Sequence, residues 1–144
     1  MLRLSTKGRY GTRLMLNLAR HHALGEESVI LRNISEEEDI SIRYLEQIII
    51  PLKIKKLVKS TRGAGGGYAL NLHPTKIQIL DIIETLEGDI SLVDCVDEKD
   101  CCERHKDCPT FLLWEHASKL LKEYYNSISL QQLLEKSNHK QKKK

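Results

Sequence analysis

The chain has 144 residues, with 23 Lys+Arg against 20 Asp+Glu and a formal net charge of +3. That length suits one domain with its own core. No apolar run approaches the roughly 20 residues of a membrane span, and Lys7, Arg9 and Arg13 follow Leu2 and Leu4 too closely for a signal peptide. The expectation is a cytoplasmic protein with no membrane partner, in a compartment that keeps thiols reduced. Charge is unevenly placed. Residues 1–70 hold 12 basic and 7 acidic side chains, and residues 71–138 hold 7 and 13. A basic N-terminal half suits a polyanionic partner. Four lysines after His139 make residues 137–144 a basic tail, expected to be disordered.

Tyr10, Leu14, Met15, Leu18 and Ala19 recur at helical spacing. They predict a first helix from about Ser5 to His22, with a break at Gly25. A short helix covers about 31–38. A tight turn through Asp39 and Ile40 then leads to Ser41, a good N-cap. Leu45, Ile48, Ile49 and Leu52 mark a third helix ending near Lys55, with a kink expected at Pro51. Residues 57–61 and 68–72 alternate in part and flank the glycine-rich run Arg62–Gly67, which reads as a β-hairpin. Thr75 and Gln78 are expected to form a capping box for a fourth helix of about 76–87, closed by Gly88. Pro109 sits well for the first turn of a long helix reaching about Ser127. Its stripe of Leu113, Ala117, Leu120, Tyr124 and Ile128, widened by Trp114, Leu121 and Tyr125, exceeds what one small core needs. The fold class is therefore mainly α with a small β-wing. A winged helix–turn–helix occupies 1–75, and a loop (95–108) with dimerisation helices occupies 76–136.

Helix two, the turn and helix three form the helix–turn–helix, and the hairpin forms its wing. A recognition helix reaches base edges from near its N-terminus. Here those residues are Ser41, Arg43, Tyr44, Glu46 and Gln47. Arg43 suits guanine, Gln47 adenine and Glu46 cytosine, while Ser41 and Tyr44 suit phosphates. Glycines such as Gly63 let the wing backbone approach DNA, and Arg62 can enter a narrow minor groove. Lys7 and Arg9 add backbone contacts. Exposed Arg and Gln also occur on ordinary solvated helices. A phosphate-loop reading fails because no Gly-Lys-Ser/Thr follows the glycines, and a dinucleotide reading fails because a strand follows them.

All four cysteines lie in Cys95–Cys108, where the only other apolar residue is Val96. So polar a segment buries too little surface to offset its ordering entropy. Thiolates suit iron–sulfur clusters, zinc or copper(I), and spacing alone does not separate iron–sulfur from zinc. Cys108 lies at the predicted start of the long helix, where the dipole favours thiolate. His21 and His22 read as surface groups and His73 as a loop residue, which leaves His105 as the histidine placed for a metal. No nucleophile–base or acid–base constellation marks an enzyme or a small-molecule substrate.

Four stretches together are specific: Leu4-Ser5-Thr6-Lys7-Gly8-Arg9-Tyr10, Ile40-Ser41-Ile42-Arg43-Tyr44-Leu45-Glu46-Gln47-Ile48, Arg62-Gly63-Ala64-Gly65-Gly66-Gly67-Tyr68, and the cysteine loop before a helix carrying Trp114. Over about residues 1–135 the chain resembles the bacterial iron–sulfur-cluster regulator family of winged helix–turn–helix transcription factors. The resemblance implies a homodimeric repressor on double-stranded DNA, sensing iron–sulfur, redox or nitric-oxide status through a 2Fe–2S or 4Fe–4S cluster. It places Ser41, Arg43, Tyr44, Glu46 and Gln47 on the recognition helix and Arg62 on the minor-groove arginine of the wing. Five residues separate the last two ligands in relatives, which selects Cys102 and Cys108, and Cys95 completes the set. Cys101 is the alternative, because it follows Cys95 by the same interval. Phe111 stands where relatives with a two-iron cluster place a histidine, and Arg9 where a four-iron relative places an aspartate. The fourth ligand is thus Cys101, His105, Glu103, Asp107 or an exogenous group. The rivals are a cluster-free thiol–disulfide regulator and a zinc-stapled protein-binding adaptor.

Overall fold

Helix α1 (Thr6–Ala23) forms the spine of the computed structural model, which describes residues 3–98 and 101–141. Ser5 caps it by accepting the Gly8 N–H at 3.2 Å. Its apolar positions Leu14, Met15, Leu18 and Ala19 are buried. Helices α2 (Leu31–Glu38) and α3 (Ile42–Ile54) follow at the expected places. The turn between them works because Asp39 takes a left-handed conformation, φ 52°, which aspartate tolerates better than most residues. Ser41 then accepts the Tyr44 N–H at 3.3 Å. Pro51 lies inside α3, which runs on to Ile54. Leu45, Ile48, Ile49 and Leu52 seat α3 in the core.

Strands β1 (Val58–Thr61) and β2 (Gly67–Leu70) pair antiparallel, Val58 opposite Leu70 and Thr61 opposite Gly67. A rung not apparent from the sequence fixes the hairpin to the body: Val29 and Tyr68 exchange both backbone hydrogen bonds at 2.8 Å. Gly67 permits this approach, since a Cβ there would lie 2.4 Å from the Val29 carbonyl oxygen.

The start of the fourth helix differs from expectation. Residues Pro74–Lys76 form a 3-10 turn headed by His73, and no Thr75–Gln78 capping box exists. Helix α4 (Ile79–Glu87) begins later, with Gln78 and Asp81 as the reciprocal pair and a Gln78 N–H to Asp81 Oδ2 bond of 2.8 Å. The cause is Ile77. Its side chain is fully buried and its backbone is extended, so that its carbonyl accepts the Leu130 N–H at 2.8 Å.

Helix α5 (Asp94–Asp97) and a 3-10 turn (His105–Asp107) lie in the cysteine segment. Helix α6 (Phe111–Asn126) starts two residues after Pro109. It ends at Ser127, so Ile128 leaves the predicted stripe and its carbonyl accepts the Ile79 N–H at 2.9 Å. Helix α7 (Leu130–Gln141) then returns onto α1, with Leu130 and Leu134 buried. It covers residues 137–141, where composition predicts disorder; 142–144 lie outside the described residues. Ser129 and Gln132 form its capping box, with bonds of 2.9 and 3.2 Å.

Candidate nucleic-acid interface and cysteine segment

With its apolar face turned inward, α3 presents Ser41, Arg43, Glu46 and Gln47 to solvent. Tyr44 is different. It is half-buried, and its ring meets Tyr10 edge-on at 5.8 Å, with the Arg13 guanidinium 5.4 Å from the Tyr10 ring centre. Most of Tyr44 therefore joins α3 to α1. Arg62 and Gly63 are exposed where the wing turns, and Gly63 has φ 100°. The turn is closed by the Gly66 N–H to Gly63 carbonyl bond of 2.9 Å and tethered by Ser28 Oγ donating to the Gly65 carbonyl at 2.7 Å. Arg9 is exposed and Lys7 half-buried at the start of α1. No ion pair among the described residues engages Lys7, Arg9, Arg43, Lys59 or Arg62. Arg9 Nη2 donates to the Thr6 hydroxyl at 3.3 Å. These cations can meet phosphates without first breaking an ion pair.

Other charges are consumed in setting this geometry, and sequence reasoning missed them. Glu38, at the end of α2, is 8% exposed. Its carboxylate accepts from Arg13 Nε at 3.2 Å, Arg20 Nη1 at 3.0 Å and Asn17 Nδ2 at 3.1 Å, and its carbonyl accepts from Arg13 Nη2. A buried carboxylate is tolerable only when paired and hydrogen-bonded in this way. The hub fixes α2, and with it the approach of α3. His21, expected at the surface, instead bridges Glu26 (2.8 Å) and Glu37 (2.9 Å). Burial works against its charge, but its hydrogen bonds to both carboxylates outweigh this and raise its pKa. Glu37 is shifted down: burial opposes its ionised form, while His21 and Asn17 favour it more strongly.

The side carrying the cysteine segment begins at the end of α4. Glu87 Oε1 accepts both the Ser5 N–H (3.1 Å) and the Ser5 hydroxyl (2.6 Å). Gly8 makes room, because a Cβ there would lie 2.1 Å from the same oxygen. The residue preceding Gly88 and the cysteine segment therefore holds the N-cap of the helix that carries Lys7 and Arg9. Beyond it, Ser118 on α6 accepts the Leu92 N–H at 3.0 Å and donates to the Trp114 carbonyl at 2.8 Å. Lys122 bonds Asp89 and lies 3.8 Å from Glu84, so each partner stabilises the other's charge.

All four cysteines are free. Cys95 on α5 and Cys108 are half-buried, whereas Cys101 and Cys102 are exposed. Cys108 lies three residues before α6, and the Thr110 hydroxyl 3.3 Å from its sulfur lowers its pKa. Slight desolvation, then the adjacent Cys95 and Cys102 thiols, push Cys101 up. Among the described residues, no three His, Cys, Asp or Glu side chains are grouped as a ready metal site. The donor chemistry nevertheless fits a soft metal centre, and one imidazole nitrogen, His105 Nε2, is buried without a partner. On α6, Leu113, Leu120 and Tyr124 are 59%, 55% and 61% exposed, and Leu112 and Trp114 are exposed beside them.

Residues 4–136 match the Rrf2 family, described as an iron-dependent transcriptional regulator. The chain belongs to the Rrf2 family. It is 39% identical over 132 residues to the HTH-type transcriptional regulator CymR of Bacillus subtilis, spanning 92% of this chain and 89% of that one. The structure of B. subtilis CymR, the global cysteine regulator, superposes with a TM-score of 0.78 at 40% identity, covering 94% of this chain and 98% of CymR. IscR from T. potens gives 0.76 at 38% identity over 94% and 88% of the two chains. Oxidised Staphylococcus aureus CymR gives 0.71 at 34% over 92% and 96%. This Rrf2 protein is thus a winged helix–turn–helix transcriptional regulator that binds DNA, and not an enzyme. No helix among its described residues is long and apolar enough to cross a membrane.

Proposed function

We propose that this Rrf2 regulator works as a homodimer whose DNA affinity is set by an iron–sulfur cluster on the cysteine segment. The observation that carries the reading is the juxtaposition of two unlike surfaces through Glu87. Cations outside any ion pair among the described residues lie on α1, α3 and the wing, and the segment with four free thiols begins at Cys95, beyond the Glu87–Ser5 contact. Arg43, Glu46 and Gln47 are the base readers, Ser41, Tyr44, Lys7 and Arg9 position the backbone, and Arg62 beside Gly63 enters the minor groove. Exposed Ile42 and Ile50 give α3 apolar contact for thymine methyl groups.

Cys95, Cys102 and Cys108 would hold the cluster, with Cys101 as the alternative to Cys102. A bound cluster supplies a centre reactive to redox change, nitric oxide and iron supply. The chain's part is to convert order in residues 88–108 into the setting of α4 and α6. Glu87 transmits that setting to the cap of α1. The exposed stripe of α6 pairs with its copy in the second subunit, because so large an apolar patch is a liability in water. Half-site spacing on DNA then follows the dimer geometry.

The test is anaerobic purification with iron and sulfide analysis, followed by DNA shift assays at fixed salt. Cys95→Ser, Cys102→Ser and Cys108→Ser should each lose the cluster, and Cys101→Ser should keep it. Full iron and sulfide in Cys102→Ser with loss in Cys101→Ser would reverse the assignment of the two neighbours. Zinc alone in every form would sink the reading. The scattered, free thiols favour one second reading, a cluster-free regulator switched by cysteine oxidation. It predicts a colourless protein whose DNA binding changes on thiol oxidation and recovers with dithiothreitol.

A further inference from the structure

We infer that the groove between the end of α1 and the wing is a binding site for a small organic carboxylate, whose occupancy the wing passes on to DNA binding. None of its lining comes from the cysteine segment, so the site stands whether or not that segment holds a cluster.

The groove has a volume of about 470 Å³, inside the roughly 300–1,000 Å³ common to small-molecule sites. Its floor is apolar, made by the buried Leu18, Val29 and Leu70, and Leu72 adds an apolar side chain that is 44% exposed. Hydrogen-bond donors stand over this floor. The rings of His22 and His73 meet edge-on at 5.4 Å and 83°. His73 Nδ1 accepts the Thr75 N–H at 3.4 Å, which puts the ring proton of neutral His73 on Nε2. His22 carries a ring N–H in either tautomer. Lys59, outside any ion pair among the described residues, brings an ammonium to the same groove.

Charge and shape then select the ligand. The acidic side chains of the lining are Glu26, already bonded to His21 at 2.8 Å, and Glu27. The last carbonyls of α1 are taken by the Leu24, Gly25 and Glu26 N–H groups, which blunts their opposition to an anion. Three donors against one uncommitted carboxylate favour a negative head group, and a carboxylate accepts from several N–H groups at once. The apolar floor favours a hydrocarbon body behind it. A metal ion is the weaker fit, because two imidazoles fall short of the three protein ligands of an open zinc site, and no three His, Cys, Asp or Glu side chains are grouped among the described residues.

The walls of the groove are also the tethers of the wing. Ser28, Val29 and Tyr68 line it, and they supply the Ser28–Gly65 bond and both Val29–Tyr68 bonds. On the opposite side His21 joins the groove to Glu37 on α2. A ligand seated between these elements binds one setting of the wing better than another, and so shifts its population.

The experiment titrates benzoate into the full-length, nitrogen-15-labelled protein at constant ionic strength, with benzamide and inorganic phosphate as parallel probes. Benzoate should move the His22 and His73 ring signals and the Val29 and Leu72 amides, and leave the ring of His116 on α6 unmoved. Saturation at about 10 mM or below is expected for so small a probe. The double variant His22→Phe/His73→Phe keeps the apolar volume and removes two donors, and its Val29 and Leu72 amides should no longer respond. Saturating benzoate should change the affinity for the best duplex from an in vitro selection by at least about 5-fold in the parent, and not in the double variant. No saturable shift, or one that persists in the double variant, overturns the site. An equal response to benzamide overturns the need for a charged head, and an equal response to phosphate overturns the need for an organic body. Saturable binding with unchanged DNA affinity overturns the coupling to the wing.

Discussion

The DNA-facing half and the cysteine segment differ in what holds them. Around α1–α3 and the wing, each orienting group has a partner within the chain: Glu38 with two arginines and Asn17, Ser41 with Tyr44, Val29 with Tyr68. Between Gly88 and Pro109 the described residues form one four-residue helix and one 3-10 turn, none of them is fully buried, and the thiols have no disulfide partners. The first region is built by the chain's own contacts. On the proposed reading, the second is set by something it binds or by its oxidation state. That asymmetry suits a sensor, because a segment with few internal contacts has alternative states close in free energy that a ligand can select.

The largest effect should come from the α6 surface proposed to join two copies of this pair of regions. Leu120→Glu or Tyr124→Glu places a charge in the α6 stripe without touching either region's own bonds. Each should yield monomer or aggregate by ultracentrifugation and weaken binding to a two-half-site DNA by about 100-fold or more, as avidity is lost. An unchanged dimer in both variants would remove α6 from the interface and free it for another partner.

Next in size is a strike at the self-sufficient half. Glu38→Ala leaves Asn17 and two arginines without their shared acceptor. The arginines are 45% and 37% exposed at their side chains, so water recovers part of the loss. We expect about 2 kcal/mol of destabilisation, below the 3–5 typical of a fully buried pair. The urea midpoint should fall, with weaker DNA binding at temperatures where the variant is still folded. Equal destabilisation by Cys95→Ser in cluster-free protein would contradict the contrast between the two regions.

Arg62→Ala should leave stability within about 0.5 kcal/mol, because it alters an exposed side chain. DNA affinity should drop by about 1–2 kcal/mol, roughly ten-fold, and more on A·T-rich sites with a narrow minor groove. Identical affinity of variant and parent across such sites, at one salt concentration, would take Arg62 out of the interface.

The two halves were also unequally legible in the sequence. Helical periodicity, the Ser41 cap and the glycine hairpin put α1–α3 and the wing close to where they lie, because each signal is local. The partners that fix their angles were hidden, since Glu38 and Arg20 are 18 residues apart and nothing local distinguishes that glutamate from Glu36 or Glu37. Helix α7 was missed for a different reason. Its S-x-x-Q start at Ser129 was present, but Ile128 continued the apolar register of α6 and the lysines beyond suggested a tail. The α4 start was misplaced because burial of Ile77, a tertiary demand, outweighed a local capping signal. Of the cysteine segment only the composition was informative. The unpaired His105 nitrogen depends on packing against Phe111, six residues away.

The smallest predicted effect is a pH signature confined to the DNA-facing half. His21 gains two carboxylate partners on folding and its pKa rises above 6.5, so its contribution is complete below 6.5 and fades as pH climbs through the raised value. Glu37 moves the opposite way. Its contribution is complete above 4.5 and is lost as pH falls through the lowered value. The bridge is therefore strongest between about pH 4.5 and 6.5. Glu26 and Glu37 are 47% and 44% exposed at their side chains, so screening limits the gain to about 0.5 kcal/mol. His21→Gln keeps hydrogen-bonding capacity but not the charge. Its stability deficit relative to the parent, from urea unfolding, should be largest near pH 6 and shrink towards pH 9. A His21→Gln deficit constant across pH would mean that the ring acts by packing, and that the pairing of His21 with its two carboxylates contributes no charge-dependent stability.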